Sequence, residues 1–233
     1  NGYCTQFGNQ NFAFFKTDKS KSKNNFLTVL QGENTGYRLN QAAYDYLKRL
    51  KSFSNWSLWQ VEYHRDSNVL YHSKNEWLNY LQCQPYTKGS YKALTEAAMV
   101  GYLTQDIFKS NLIILSDQAK QFDINSNAGC WVHAERKLTQ VIPNNNEMQS
   151  ALKEKKLKQF WQLYDTLKTE TKGGYFSSQR KYQLKKRYDN LCQNNPAFKK
   201  LNVELDHLSE MKESLLKCLD FPEVPLHNNQ SES

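Results

Sequence analysis

NLIILSD, residues 111–117, is the stretch on which the reading of the fold turns. Leu112, Ile113, Ile114 and Leu115 form an unbroken apolar run, and Asp117 closes it. A short run without polar alternation is the pattern of a strand buried on both faces. Such strands sit in sheets covered by helices, and in an open α/β sheet the ligand-binding and reacting groups collect at the carboxyl ends of the strands. Asp117 would occupy that position. Twelve positions on, GCWVH (129–133) reads as a second short strand. It leads into a helix, AERKLTQVI (134–142), stopped by Pro143.

Towards the N-terminus, two aromatic and β-branched runs flank Gly8-Asn9-Gln10, which predicts a hairpin of Tyr3–Phe7 and Phe12–Thr17. Ser22 or Asn24 is placed to cap a helix in NNFLTVLQ (24–31). LNQAAYDYLKRLKSF (39–53) is a second helix with Ala43, Tyr46, Leu47 and Leu50 on one face. Residues 54–86 carry Trp56, Trp59, Tyr63, Tyr71, Trp77 and Tyr80 without a clean period, so no element is assigned there. KALTEAAMVGYLTQDIF (92–108) is helical, with Leu94, Ala97, Ala98 and Tyr102 on one face.

Beyond residue 147 the chain turns helical and basic. Leu157, Phe160, Trp161, Tyr164 and Leu167 mark one helix, broken at Lys172-Gly173-Gly174. Leu184, Tyr188 and Leu191 mark another, ended before Pro196, and Leu208, Met211, Leu215 and Leu219 mark a third. The expected organisation is an α/β domain at 1–146, a basic all-α insertion at 147–219, and the start of a final element at 220–233.

Composition bounds the function. A hydrophobic content of 39% excludes a disordered tail. The net charge of +8 favours an acidic partner, nucleic acid first, although Lys- and Asn-rich codon usage yields the same balance. The five cysteines, Cys4, Cys83, Cys130, Cys192 and Cys218, are odd in number and irregularly spaced, which argues against a disulfide framework and for a reducing compartment. No apolar run approaches the length of a membrane span, so a soluble, cytoplasmic protein without a membrane partner is expected.

On the residues alone, Asp117 reads first as a cap for a helix at Gln118–Phe122 and second as a reacting carboxylate. Cys130 and His133 could be half of a zinc site, but no second ligand pair accompanies them. A buried Cys beside a core Trp is the simpler reading. Glu232 lies in a polar tail, HNNQSE. Residues 151–200 carry 13 Lys or Arg against 4 Asp or Glu, which suits a nucleic-acid face or an ordinary solvated helix surface.

Taken together, LIILSDQAKQFD, GCWVHAERK, a helical stretch and FPEVPLHNNQSE resemble the catalytic domain of the insertion sequence 66 family of bacterial transposases. The opening NGYCTQFGNQNFAFFKTDKSKSKNNFL resembles the segment following that family's first catalytic Asp. The resemblance implies a ribonuclease H-like mixed sheet flanked by helices, in which three carboxylates hold two Mg²⁺ ions for DNA cleavage and strand transfer. By resemblance, Asp117 is the second carboxylate and Glu232, of Asn-Asn-x-x-Glu, the third; both would be metal ligands. His133 would hydrogen-bond the scissile phosphate or orient Asp117, and Trp131 would pack into the core. Arg136, Lys137, Lys181, Lys185, Lys186 and Arg187 would meet the phosphates of double-stranded DNA, the transposon ends and target, with the protein a homo-oligomer on that DNA.

Two departures from the family pattern bear on this. The first catalytic Asp would precede Asn1, and Asp18, expected in the loop after the hairpin, is no substitute. His227 stands where the commoner pattern has Asp before the asparagines. The expectation is therefore a piece of a longer reading frame, without strand transfer of its own. The alternatives are a non-catalytic nucleic-acid-binding remnant and a protein-interaction module built on residues 54–86.

Overall fold

The N-terminal hairpin is formed by β1 (Tyr3–Gly8) and β2 (Ala13–Asp18), antiparallel, in register from Tyr3 opposite Asp18 to Gly8 opposite Ala13. Asp18 thus ends a strand and does not lie in the following loop. The computed structural model describes residues 3–8, 13–50, 53–66, 68–108, 113–117, 119–124, 126–196 and 198–228; the turn expected at residues 9–10 falls outside them, as does Phe12. Two compact units result, Asn1–Leu112 with Lys120–Ser126, and Ile113–Ala119 with Asn127–Ser233.

In the first unit the helices start where a short polar side chain can accept from an orphan backbone N–H. The Ser22 hydroxyl accepts from Asn25 N at 3.2 Å and opens α1 (Lys23–Gln31), which decides between Ser22 and Asn24. Asn40 opens α2 (Gln41–Arg49), Ser54 opens α3 (Asn55–His64) and Ser73 opens α4 (Lys74–Cys83). The residues left unassigned in the sequence are thus two helices of ten residues each. α5 (Tyr91–Tyr102) runs on into one π-helical turn, Leu103–Ile107.

α2 packs on α5 through Ala43, Leu47, Ala97 and Ala98, all fully buried. Gly101 permits the approach: a Cβ there would lie 2.2 Å from the Arg38 carbonyl oxygen and 2.7 Å from Asn40 Oδ1. Asn40 Nδ2 donates to Gly101 O at 3.0 Å and to Gln105 Oε1 at 2.8 Å, so the residue that caps α2 also ties it to α5. The Arg38 guanidinium meets both oxygens of Asp106 at 3.0 Å.

The second unit holds β3 (Ile113–Ser116) and β4 (Ser126–Gly129), a small parallel sheet beginning at the boundary residue Ser126. Ile113, Ile114 and Leu115 are only half-buried, so β3 is a strand but not, among the described residues, one covered on both faces. The segment GCWVH is not a strand. The strand ends at Gly129, and α6 (Trp131–Thr139) begins two residues later. Trp131, Ala134 and Leu138 recur at helical spacing and bury one face, and that packing overrides the β preference of Trp131 and Val132.

α7 (Asn146–Ser150), a π-helical stretch (Ala151–Leu157) and α8 (Lys158–Glu170) follow as one run. Gly174, at φ +71°, ends it in the left-handed conformation that glycine adopts without penalty. α9 (Ser178–Leu191) comes next, then α10 (Lys199–Glu210) and α11 (Lys212–Leu215), so the third expected helix breaks at Met211. A single hydrophobic cluster joins Trp131 and Leu138 to Phe160, Leu184, Tyr188, Leu201 and Leu215. The molecule is a mixed α/β protein, mostly helical.

Candidate functional site

The N-terminus of α6 gathers two segments that are distant in the chain. Cys130 N donates to the Ser116 carbonyl at 3.0 Å, and Trp131 N donates to the Leu226 carbonyl at 2.9 Å. No side chain caps this helix; carbonyls from elsewhere satisfy these two N–H groups instead. One carbonyl precedes Asp117, and the other belongs to the residue before His227-Asn228. The acid after the strand, the Cys-Trp-x-His segment and the start of the terminal Asn-Asn motif are thus brought to one end of one helix.

Trp131 fixes that junction. It is fully buried, its indole Nε1 donates to Leu215 O at 2.8 Å, and its ring meets Phe160 at 4.9 Å and Tyr164 and Tyr188 at 6.1 Å. The expectation that it packs in the core holds. Cys130 is buried and His133 half-buried, three residues apart on the first turn of α6. Among the described residues no group of three His, Cys, Asp or Glu is placed to hold a metal, zinc included.

Asp117 is exposed, and its Oδ1 accepts from Ala119 N at 3.0 Å. This is a local Asx-turn bond to the second residue on; the helix expected at Gln118–Phe122 is a single 3₁₀ turn, Lys120–Phe122, which starts three residues past Asp117. His227 and Asn228 are half-buried, and Glu232 lies outside the described residues. Glu135, half-buried on α6, has its carboxyl pushed up by burial against the opposing pull of Arg136.

The basic residues fall into two kinds. Lys181 Nζ pairs with Asp220 Oδ1 at 2.6 Å, and Arg187 Nη1 donates to Thr166 Oγ1 at 3.2 Å. Arg136, Lys137 and Lys186 are exposed, and Lys185 is half-buried. Leu226, which the sequence reading passed over, anchors the terminal segment. Its signal was a lone leucine after Pro222 and Pro225, buried here to 7% exposure.

These features define a basic, mixed α/β chain with an acidic residue at a strand end beside a helix N-terminus. The chain belongs to the transposase IS66 family, whose model matches residues 46–233. It is 30% identical over 237 residues to "Uncharacterized protein y4jO" of Sinorhizobium fredii (strain NBRC 101917 / NGR234), across 99% of this chain and 71% of that relative. No solved structure matches. No helix among the described residues is long and apolar enough to cross a membrane.

Proposed function

We propose that this chain is the ribonuclease H-like catalytic region of a DNA transposase, in which Asp117 and Glu232 contribute two of the site's carboxylates. The observation that carries the reading is the pair of backbone bonds from Cys130 and Trp131 to Ser116 and Leu226. They gather the three family segments at one helix end, although about a hundred residues separate two of them. Family membership supports DNA as the partner, and the substrate in this reading is double-stranded DNA at transposon ends and target.

The donor set suits a hard cation. Asp117 offers an exposed carboxylate with Oδ1 engaged at Ala119, and Glu232 would add a second carboxylate from the terminal motif. Mg²⁺, held by these two and by a further acid, would supply charge neutralisation at the scissile phosphate. The protein's own groups do the positioning. His133 lies on the helix turn that anchors both segments and would hydrogen-bond the scissile phosphate. Arg136 and Lys137, on the same helix, hold the flanking phosphates as point charges and forks. Assembly as a homo-oligomer on DNA and a cytoplasmic, nucleoid-associated location complete the proposal.

The test is end cleavage with Mg²⁺ by the protein expressed from its native reading frame. Asp117→Asn is expected to lower the cleavage rate by about 100-fold or more, with the thermal midpoint nearly unchanged because the side chain is exposed. Retained cleavage with a lowered midpoint would assign Asp117 to the local turn alone. His133→Ala is expected to slow cleavage by about 10-fold to 100-fold, in line with one lost positioning hydrogen bond.

A further inference from the structure

The outer face of α3 contradicts the usual rule for a surface helix. Leu58 and Val61 bury its inner face, yet Trp56, Trp59 and Tyr63 line the opposite side at 65%, 52% and 71% exposure. A helix apolar on both faces is ordinarily covered on both. The three rings form a ladder: Trp56 stacks on Trp59 with centroids 4.9 Å apart and planes 18° apart, and Trp59 stacks on Tyr63 at 5.4 Å and 18°. Each ring pre-organises the next, so little rotamer freedom is left to lose on binding.

We propose that this ladder is a stacking platform for unpaired DNA bases. Three observations select that occupant. The exposed ring area is roughly 400 Å² at the usual size of aromatic side chains, about half of what each partner buries in a specific protein interface. It matches one or two bases better than a second copy of the chain. The residue types are Trp and Tyr, which stack on any base; centroid separations of 4.9 Å and 5.4 Å make the stacks offset, so each ring covers its neighbour only in part and the outer face of Trp56 is left at the end of the ladder. The charge is permissive: the one acid on α3, Glu62, is matched by Arg65 at 2.9 Å, and residues 1–112 hold 13 Lys or Arg against 8 Asp or Glu. Asp66, just beyond the helix, is turned to the backbone N of Asn68 at 2.9 Å. A transposase meets unpaired bases wherever a DNA end is opened, and the proposal rests on the family, not on the role of Asp117.

The test compares a short fluorescein-labelled oligonucleotide, single-stranded and as a duplex, by anisotropy with the full chain. Trp56→Ala/Trp59→Ala is expected to weaken single-strand binding by about tenfold or more and to leave duplex binding unchanged. Trp59→Phe, which keeps a ring, should recover most of the loss of Trp59→Ala. Intrinsic fluorescence should be quenched by the single strand, and the quench should be lost in Trp56→Ala/Trp59→Ala, since Trp77 and Trp131 are fully buried and Trp161 is half-buried and unchanged in that variant. Single-strand affinity that survives the double substitution overturns the proposal, and so does an equal loss for both DNA forms. Conversion of a dimer to a monomer with single-strand affinity intact would make the face a self-association surface and overturn it too. Loss of catalysis is read with Asp117→Asn in the cleavage assay and loss of stacking with the Trp56→Ala/Trp59→Ala pair in the anisotropy assay, so the two failures are distinguishable.

Discussion

Gly101 leaves no room for a side chain. The atom that a Cβ would strike at 2.2 Å is the backbone carbonyl of Arg38, which cannot swing away as a side chain would. Gly101→Ala is therefore expected to cost about 1–3 kcal/mol as overpacking, seen as a lower urea midpoint with the slope unchanged. Trp131 is its counterpart in the second unit. Trp131→Phe removes the indole N–H from Leu215 O and leaves a void against Phe160, Tyr164 and Tyr188, which together should cost about 2–4 kcal/mol. The cysteines differ by burial in a way that a thiol reagent reads directly. Cys4 and Cys83 are exposed, whereas Cys130 is buried, and burial pushes the Cys192 and Cys218 thiols up to about 12. In the native protein two thiols should react with Ellman's reagent at neutral pH, and all five after unfolding.

At the scale of elements, what could be read from the sequence follows the length of the repeating signal. α8 and α9 are 13 and 14 residues long, each burying leucines and aromatics at helical spacing on one face, and their periods are plain. α3 and α4 were not legible because each has only ten residues and because α3 carries aromatics on its outer face, which blurs any 3.6-residue period. The α6 boundary was misplaced because Trp131 and Val132 favour strands locally, and only the distant Phe160 and Leu215 make them helical. Of the candidate site, Asp117 and the Cys-Trp-x-His segment were legible as residues, but their meeting rests on carbonyls of Ser116 and Leu226, which no side-chain pattern announces. The same holds for the end of α9. Lys156, carried on the π-helical stretch before α8, donates to the carbonyls of Leu191 at 2.7 Å and Gln193 at 2.6 Å, a cation at a helix C-terminus. Lys156→Met should cost about 1–2 kcal/mol, with the loss of amide-exchange protection concentrated in the last turn of α9. Between α8 and α9, Arg180 holds the Glu170 carboxyl below its ordinary range. A depressed carboxylate pKa contributes stability above the unfolded value and loses it as the pH falls through the folded one. The stability gap between the parent and Arg180→Met should be present at neutral pH and close on acidification.

For the molecule as a whole, the net charge of +8 overstates the positive charge offered to DNA, because part of it is spent internally. Lys181 is paired with Asp220 at 2.6 Å, Arg180 with Glu170, Lys212 with Asp189 at 2.6 Å and Arg38 with Asp106. Lys186 is exposed and makes no ion pair among the described residues. Duplex affinity should fall as salt rises, with a logarithmic slope of about 0.9 per phosphate neutralised, and the slope should count the unpaired lysines and arginines. Lys186→Ala is expected to flatten it by about one. Lys181→Ala should change it by less, since that cation is already partly neutralised in the free protein. Asp220→Asn gives the opposite sign: it releases Lys181 and removes a negative charge, so it should tighten duplex binding and steepen the slope. The Lys181–Asp220 pair is partly exposed and weak, and Lys186 lies at the surface, so the substitutions should leave the thermal midpoint almost unmoved. A slope that stays fixed across all three variants would place the duplex on another face and remove α9 from the DNA-binding surface.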